Sequence, residues 1–182
     1  MKKVALYLAT GFEEIEALAT VDILRRGDIE VDVVSIEETL EVVGSHKIKV
    51  FADKLIKDIN LEDYQMIVLP GGMPGTLNLN DSEILKTQIL EFYKNKKYIG
   101  AICAAPMILG KMKLLVGKEA TCYPGVEDNL EGAIYRSDLD VIVAENIITS
   151  RGAGTAMKFG LKLVELLEGK EVSDKLTKSL LV

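Results

Sequence analysis

The side chains of this sequence with the most reactive chemistry are two cysteines, one histidine and a run of acids near the N-terminus. Cys103 has the most telling surroundings. In Tyr98-Ile99-Gly100-Ala101-Ile102-Cys103-Ala104-Ala105-Pro106 an apolar strand meets a helix with no loop between them. Such an elbow is crowded and often strained. The small residues Ala101, Ala104 and Ala105 let it close and let the central side chain point outward. Pro106 falls in the first helical turn, where its missing N–H is harmless. A cysteine there would sit at the positive end of a helix dipole, which lowers its pKa and favours the nucleophilic thiolate. The same pattern also fits a buried cysteine acting as a small hydrophobe.

Two further segments offer groups that such a cysteine could use. Pro70-Gly71-Gly72 presents backbone N–H groups with no Cβ in the way, and with the N–H of Ala104 they would form an oxyanion hole. They also fit a tight turn that needs glycine conformations. Glu13, Glu14 and Glu16 stand at the start of a helix, where acids are expected simply to satisfy the dipole. One facing a pocket would be desolvated, with a raised pKa, and could donate a hydrogen bond to a thiolate. The spacing does not single out which one.

These segments need elements to position them. Apolar runs predict strands over 3–8, 30–36, 66–69, 98–102, 140–144 and 146–150, with short strands or a hairpin over 40–51 turning near Gly44-Ser45. Amphipathic spacing predicts helices over 13–26, 82–94, 104–112 and 155–167, with a short one near 171–178. Strands alternating with helices imply a mostly parallel sheet covered on both faces, whose sites form beyond the carboxyl ends of the strands. Chemistry is therefore expected at 9–16, 70–74, 103–106 and 150–155.

Composition sets the outer bounds. The 182 residues suit one domain over the whole chain, with a full apolar core. A net charge of −6 argues against nucleic acid, whose phosphates need a basic surface. No window is long and apolar enough to span a bilayer, so no membrane partner is expected. The opening MKKVALYLATGFEEIEA begins like a signal peptide, but its apolar run is short and acids follow at once, so it reads as a first strand. Cys103 and Cys122 form no CxxC pair and lie far in sequence from the histidine. A disulfide framework and a structural zinc site are not expected, and a reducing, cytoplasmic setting is. Gly152-Ala153-Gly154-Thr155 before a helix lacks the third glycine of a dinucleotide fingerprint, so no nicotinamide cofactor is expected.

With GFEEIEA at 11–17, VDILRRG at 21–27, VLPGG at 68–72, Ile102-Cys103 followed by AAP at 104–106, and SRGAGT at 150–155, the chain resembles the ThiJ/PfpI superfamily. It is most similar to the branch of the parkinsonism-associated deglycase and the bacterial YajL-type proteins. The resemblance covers essentially the whole chain. It implies a flavodoxin-like three-layer sandwich and a homodimer. It assigns Cys103 as an oxidisable nucleophile and Glu16 as a protonated carboxylic acid hydrogen-bonded to it. Backbone groups of Gly71, Gly72 and Ala104 become anion-binding donors. Arg25 or Arg26 would shape the pocket edge and dimer contact. His46 falls where some relatives carry an arginine at the dimer-side pocket edge. Tyr123 stands where many relatives place a histidine near the cysteine, a position at which YajL-type members also lack one. A phenol with an ordinary pKa of ~10 is a poor general base at neutral pH.

The function this implies is cofactor-free glyoxalase III or deglycase chemistry, with no metal. Cys103 attacks a small carbonyl substrate, a 2-oxoaldehyde such as methylglyoxal or its adduct, and Glu16 moves the proton. The alternative is a non-catalytic stress sensor or chaperone acting through oxidation of Cys103. An amidase or peptidase is the weaker reading. The peptidase-like branch has a histidine directly after its cysteine, and here that residue is Ala104.

Overall fold

The computed structural model describes residues 2–182. Its strands are β1 (Lys3–Leu8), β2 (Glu30–Ser35), β3 (Glu41–Val43), β4 (Lys49–Phe51), β5 (Lys54–Leu55), β6 (Met66–Leu69), β7 (Tyr98–Ile102), β8 (Glu119–Ala120), β9 (Ile134–Tyr135), β10 (Val141–Ala144) and β11 (Ile147–Ser150). Its helices are α1 (Glu14–Arg26), α2 (Gly75–Asp81), α3 (Glu83–Lys94), α4 (Pro106–Lys111), α5 (Ala156–Glu168) and α6 (Lys170–Leu180).

Seven strands form the central sheet in the order β10-β11-β7-β6-β1-β2-β5. Only the β10–β11 pair in it is antiparallel. β3 pairs antiparallel with β4, as the apolar run over 40–51 suggests. Side-chain alternation along β1 separates two apolar layers. Ala5 and Tyr7 join Tyr64, Leu69, Ile89, Phe92 and Ile108 on one face. Val4, Leu6 and Leu8 join Ile23, Leu24, Phe159 and Val164 on the other. Helices cover both faces, giving the expected three-layer sandwich. α1 packs closely on α5 because Gly160 has no side chain: a Cβ there would lie 2.9 Å from Ile23 Cδ1.

Three local differences from the sequence reading have physical causes. The helix expected over 104–112 begins only at Pro106, because Cys103 adopts a left-handed backbone (φ +65°) and Ala104 and Ala105 complete the turn. α2 was not expected; its residues GTLNLND carry glycine, threonine and asparagines, which are weak helix formers. The two-residue strands β5, β8 and β9 are too short for any periodicity to mark them. Ser82 caps α3 as its type suggests, its hydroxyl accepting from Leu85 N–H at 3.3 Å.

Candidate active site

The parallel strands β1, β6, β7 and β11 deliver their following loops to one end of the sheet. The Cys103 peptide is clamped from both sides there. Its N–H donates to the Ser150 carbonyl at 2.9 Å, and its own carbonyl accepts from Tyr123 N–H at 2.8 Å. These bonds hold a non-glycine residue in a left-handed conformation that is otherwise unfavourable.

Gly71 passes directly beneath the cysteine. A Cβ at Gly71 would sit 2.6 Å from Cys103 Cβ and 2.8 Å from Glu16 Oε2, so only glycine fits. The Gly71 N–H donates to Glu16 Oε2 at 2.8 Å, so it is not free as the anion-binding donor expected of it, and the Gly71 carbonyl accepts from Glu13 N–H at 2.9 Å. The 70–72 turn is thereby pinned to the first turn of α1. Glu16 is buried, and its Oε1 has no hydrogen-bond partner.

Cys103, Glu16, Gly72, Ala104 and Tyr123 line one cavity of about 360 Å³, with Glu13, Met73, Val126 and Ala153 around them. A larger cleft of about 530 Å³ lies elsewhere, where Tyr93, Lys94 and Tyr98 face Glu145 and Asn146. It contains neither cysteine and opens at the amino ends of β7 and β11, opposite the loops that carry the chemistry.

Electrostatics couple Glu16 to Cys103. Burial pushes Glu16 up to about 7, against hydrogen bonding from Cys103 and the Gly71 N–H. Burial, and then the Glu16 carboxylate beside it, push the Cys103 thiol up to about 12, while the N–H groups of Gly72 and Ala104 act the other way. Contrary to the sequence expectation, the helix dipole does not make this thiol acidic. α4 has only six residues and starts three positions after the cysteine, so its field is weak against burial. What favours a thiolate here is a proton on Glu16, which removes the opposing charge and leaves Gly72 and Ala104 N–H directed at the sulfur.

The acids of the first α1 turn divide their tasks. Glu16 faces the cysteine and Glu13 borders the cavity. Glu14 turns to the β3–β4 hairpin, accepting from His46 N–H at 2.7 Å and from the Ser45 hydroxyl at 3.1 Å, with the His46 ring Nδ1 2.8 Å away. Burial opposes its ionisation, but these hydrogen bonds hold it down to about 2. His46 itself is exposed, does not line the cavity, and has its pKa raised by the Glu14 hydrogen bond. Glu13, Glu14 and His46 form the one cluster of potential metal-ligating side chains among the described residues. The Glu14 oxygens in it are already engaged by the hairpin.

Arg25 and Arg26 do not shape this cavity. They occupy the last turn of α1, nine and ten residues from Glu16, roughly 14 Å along the helix. Arg25 donates to the Val31 carbonyl at 3.0 Å and to Asp53 at 3.3 Å, and Arg26 pairs with Asp22 at 2.6 Å. Sequence reasoning had no residue for the far wall of the site. Arg151 stands there, in an adjoining hollow of about 270 Å³ with Tyr123, Gly152 and Thr155. Its place directly after a buried strand, inside the 150–155 segment, was the available signal.

The chain is similar to known proteins over nearly its whole length. Residues 2–166 match the "DJ-1/PfpI family". The "Glutathione-independent glyoxalase DJ-1" of Schizosaccharomyces pombe is 36% identical over 189 residues, covering 99% of this chain and 98% of that protein. The "Protein DJ-1 homolog B" of Arabidopsis thaliana is 40% identical over 171 residues, which are 93% of this chain but 39% of that longer protein. The chain thus spans 39% and 47% of the length of the two Arabidopsis relatives it matches. Among solved structures, "Toxoplasma gondii DJ-1, oxidized" superposes with a TM-score of 0.94 at 40% identity, covering 100% of this chain and 98% of that one. Drosophila melanogaster DJ-1beta superposes with a TM-score of 0.95 at 35% identity, with 100% and 98% covered. A chain whose match runs through the Glu16 turn, the Gly71-Gly72 turn and the Cys103 elbow, in one continuous fold, belongs to the DJ-1/PfpI family.

Proposed function

We propose that the protein is a cysteine-dependent enzyme of the glyoxalase III or deglycase type, converting 2-oxoaldehydes or their adducts to 2-hydroxy acids. The observation that carries this reading is the Glu16 carboxyl held by Gly71 N–H against the Cys103 elbow, with its other oxygen unpartnered. The Cys103 sulfur adds to the aldehyde carbon, and Glu16 gives its proton to the oxygen, forming a hemithioacetal. Glu16, now a carboxylate, removes the hydrogen on that carbon and returns it to the neighbouring ketone carbon through an enediol. The aldehyde carbon is oxidised and the ketone carbon reduced, so no outside oxidant enters. Water then cleaves the thioester, releasing the hydroxy acid and the thiol. In this reading Gly72 and Ala104 N–H would stabilise the developing oxyanion. The names of the Schizosaccharomyces pombe relative and of a Caenorhabditis elegans relative, both glutathione-independent glyoxalases, support the same reaction.

The test is methylglyoxal turnover by the wild type and by Cys103→Ser. Loss of at least ~10³-fold is expected for removal of a nucleophile. Equal rates in both would remove Cys103 from the mechanism.

Stress sensing through Cys103 is the second reading, and the partial exposure of that residue favours it over Cys122, which is buried. A peptidase reading finds no support in the geometry, since His46 is tied to Glu14 rather than to the cysteine. A homodimer fits the exposed apolar residues Ile15 and Leu18 on α1 and Ile48 and Phe51 at β4. Among the described residues no helix is long and apolar enough to cross a membrane.

A further inference from the structure

Arg151 is the arginine without a counter-charge. Arg25, Arg26 and Arg136 each have a carboxylate oxygen within 3.3 Å. Arg151 makes no side-chain hydrogen bond and no ion pair with any described residue, and its Nε is buried without a partner. In a chain of net charge −6 that is a conspicuous omission. Asp140 feels the Arg151 charge only through space, because it is taken up by Lys158 at 2.6 Å. A guanidinium stays charged at every physiological pH, and a buried N–H without an acceptor is unfavourable until an oxygen reaches it.

The place of this residue gives that vacancy a purpose. Tyr123 and Ala153 wall both the Arg151 hollow and the Cys103 cavity, so the two are lobes on either side of one exposed ring. Gly152 lies at the junction. A Cβ there would meet the Tyr123 ring at 3.2 Å and Glu16 Oε1 at 3.9 Å. Glu16 lines one lobe and Arg151 the other, and each has a buried polar atom without a partner, Glu16 Oε1 and Arg151 Nε. The planar fork of arginine matches a carboxylate with two parallel hydrogen bonds.

We propose that Arg151 is a specificity residue that binds the carboxylate of a substrate whose aldehyde-derived carbon reaches Cys103. The substrate class is an adduct of a 2-oxoaldehyde with a carboxylate-bearing carrier, such as an amino acid or the C-terminal residue of a short peptide. The proposal rests on Cys103 as the reacting group, and the experiment separates it from the named reaction by reading alkylation rather than turnover.

The full chain is alkylated with N-iodoacetylglycine, which carries a carboxylate, and with neutral iodoacetamide. Modification of Cys103 is followed by intact mass, with Cys103→Ser as the control for Cys122. Each rate is divided by that of a free thiol with the same reagent. The wild type is expected to favour the carboxylate probe by about tenfold or more, the worth of one charge-assisted pair. Arg151→Gln collapses that ratio towards one, and Arg151→Lys retains part of it. N-acetylglycine is expected to slow iodoacetamide labelling of the wild type saturably, a measurement that needs no variant. An unchanged ratio in Arg151→Gln, an equal fall of both rates, or no protection by N-acetylglycine would each overturn the assignment. Absence of methylglyoxal turnover with the ratio intact would instead overturn the proposed reaction and leave the carboxylate site standing.

Discussion

Glu16 Oε2 accepts the Gly71 N–H at 2.8 Å, and this single bond aims the rest of the carboxyl at Cys103. Glu16→Gln keeps an acceptor for Gly71 and the same volume but can no longer give or take a proton. Turnover of methylglyoxal by this variant is expected to fall by about 10²–10⁴. A rate within twofold of wild type would take Glu16 out of the proton path.

Two groups that resist ionisation beside each other lose their protons in two separated steps. The first is centred near Glu16's value of about 7 and the second near the thiol's of about 12. Cys103 alkylation, measured from pH 5 to 11, should rise through neutrality to a plateau, because part of the singly ionised pair carries the charge on sulfur. Glu16→Gln should lose the step near neutrality and show one transition set by the thiol alone. A wild-type profile without a step below pH 9 would contradict the shared proton.

The same burial makes Glu16 a pH-dependent liability for the fold. Its native value of about 7 exceeds its ordinary 4.5, so the folded state binds the proton more tightly. That contribution is complete below pH 4.5 and is lost as pH rises through 7, on the order of 3 kcal/mol for a group this buried. Glu16→Gln should therefore raise stability against urea at pH 8.5 and change it little at pH 4.5. Equal effects at both pH values would show that folding does not raise the Glu16 pKa.

Glu14 has the opposite sign. It is held at about 2, so its contribution is present above the ordinary 4.5 and disappears as pH falls through 2. Glu14→Gln leaves the hairpin donors at His46 and Ser45 poorly matched and should cost about 1–3 kcal/mol at neutral pH. Urea unfolding at pH 7 and pH 3 checks both the loss and its shrinkage in acid.

The strand pattern, and with it the end of the sheet where the site lies, was legible because β1, β6, β7 and β11 are apolar runs ending in turn residues. The meeting of segments 9–16, 70–74, 103–106 and 150–155 follows from parallel topology alone. Three features were not legible. Which of Glu13, Glu14 and Glu16 turns inward depends on where α1 begins and on a hairpin thirty residues away that occupies Glu14. The direction of the thiol's shift depends on burial, which local sequence does not state. Arg25 and Arg26 look available in sequence, but Asp53 and Asp22 already hold them.

The left-handed backbone of Cys103 has an evolutionary consequence. Glycine would relieve a conformation that disfavours other L-residues by about 1–2 kcal/mol, and asparagine tolerates it better than cysteine does. Heat selection without demand for reactivity would therefore drive position 103 towards glycine or asparagine. A cysteine at position 103 thus holds its sulfur at the expense of the more durable protein that glycine would give.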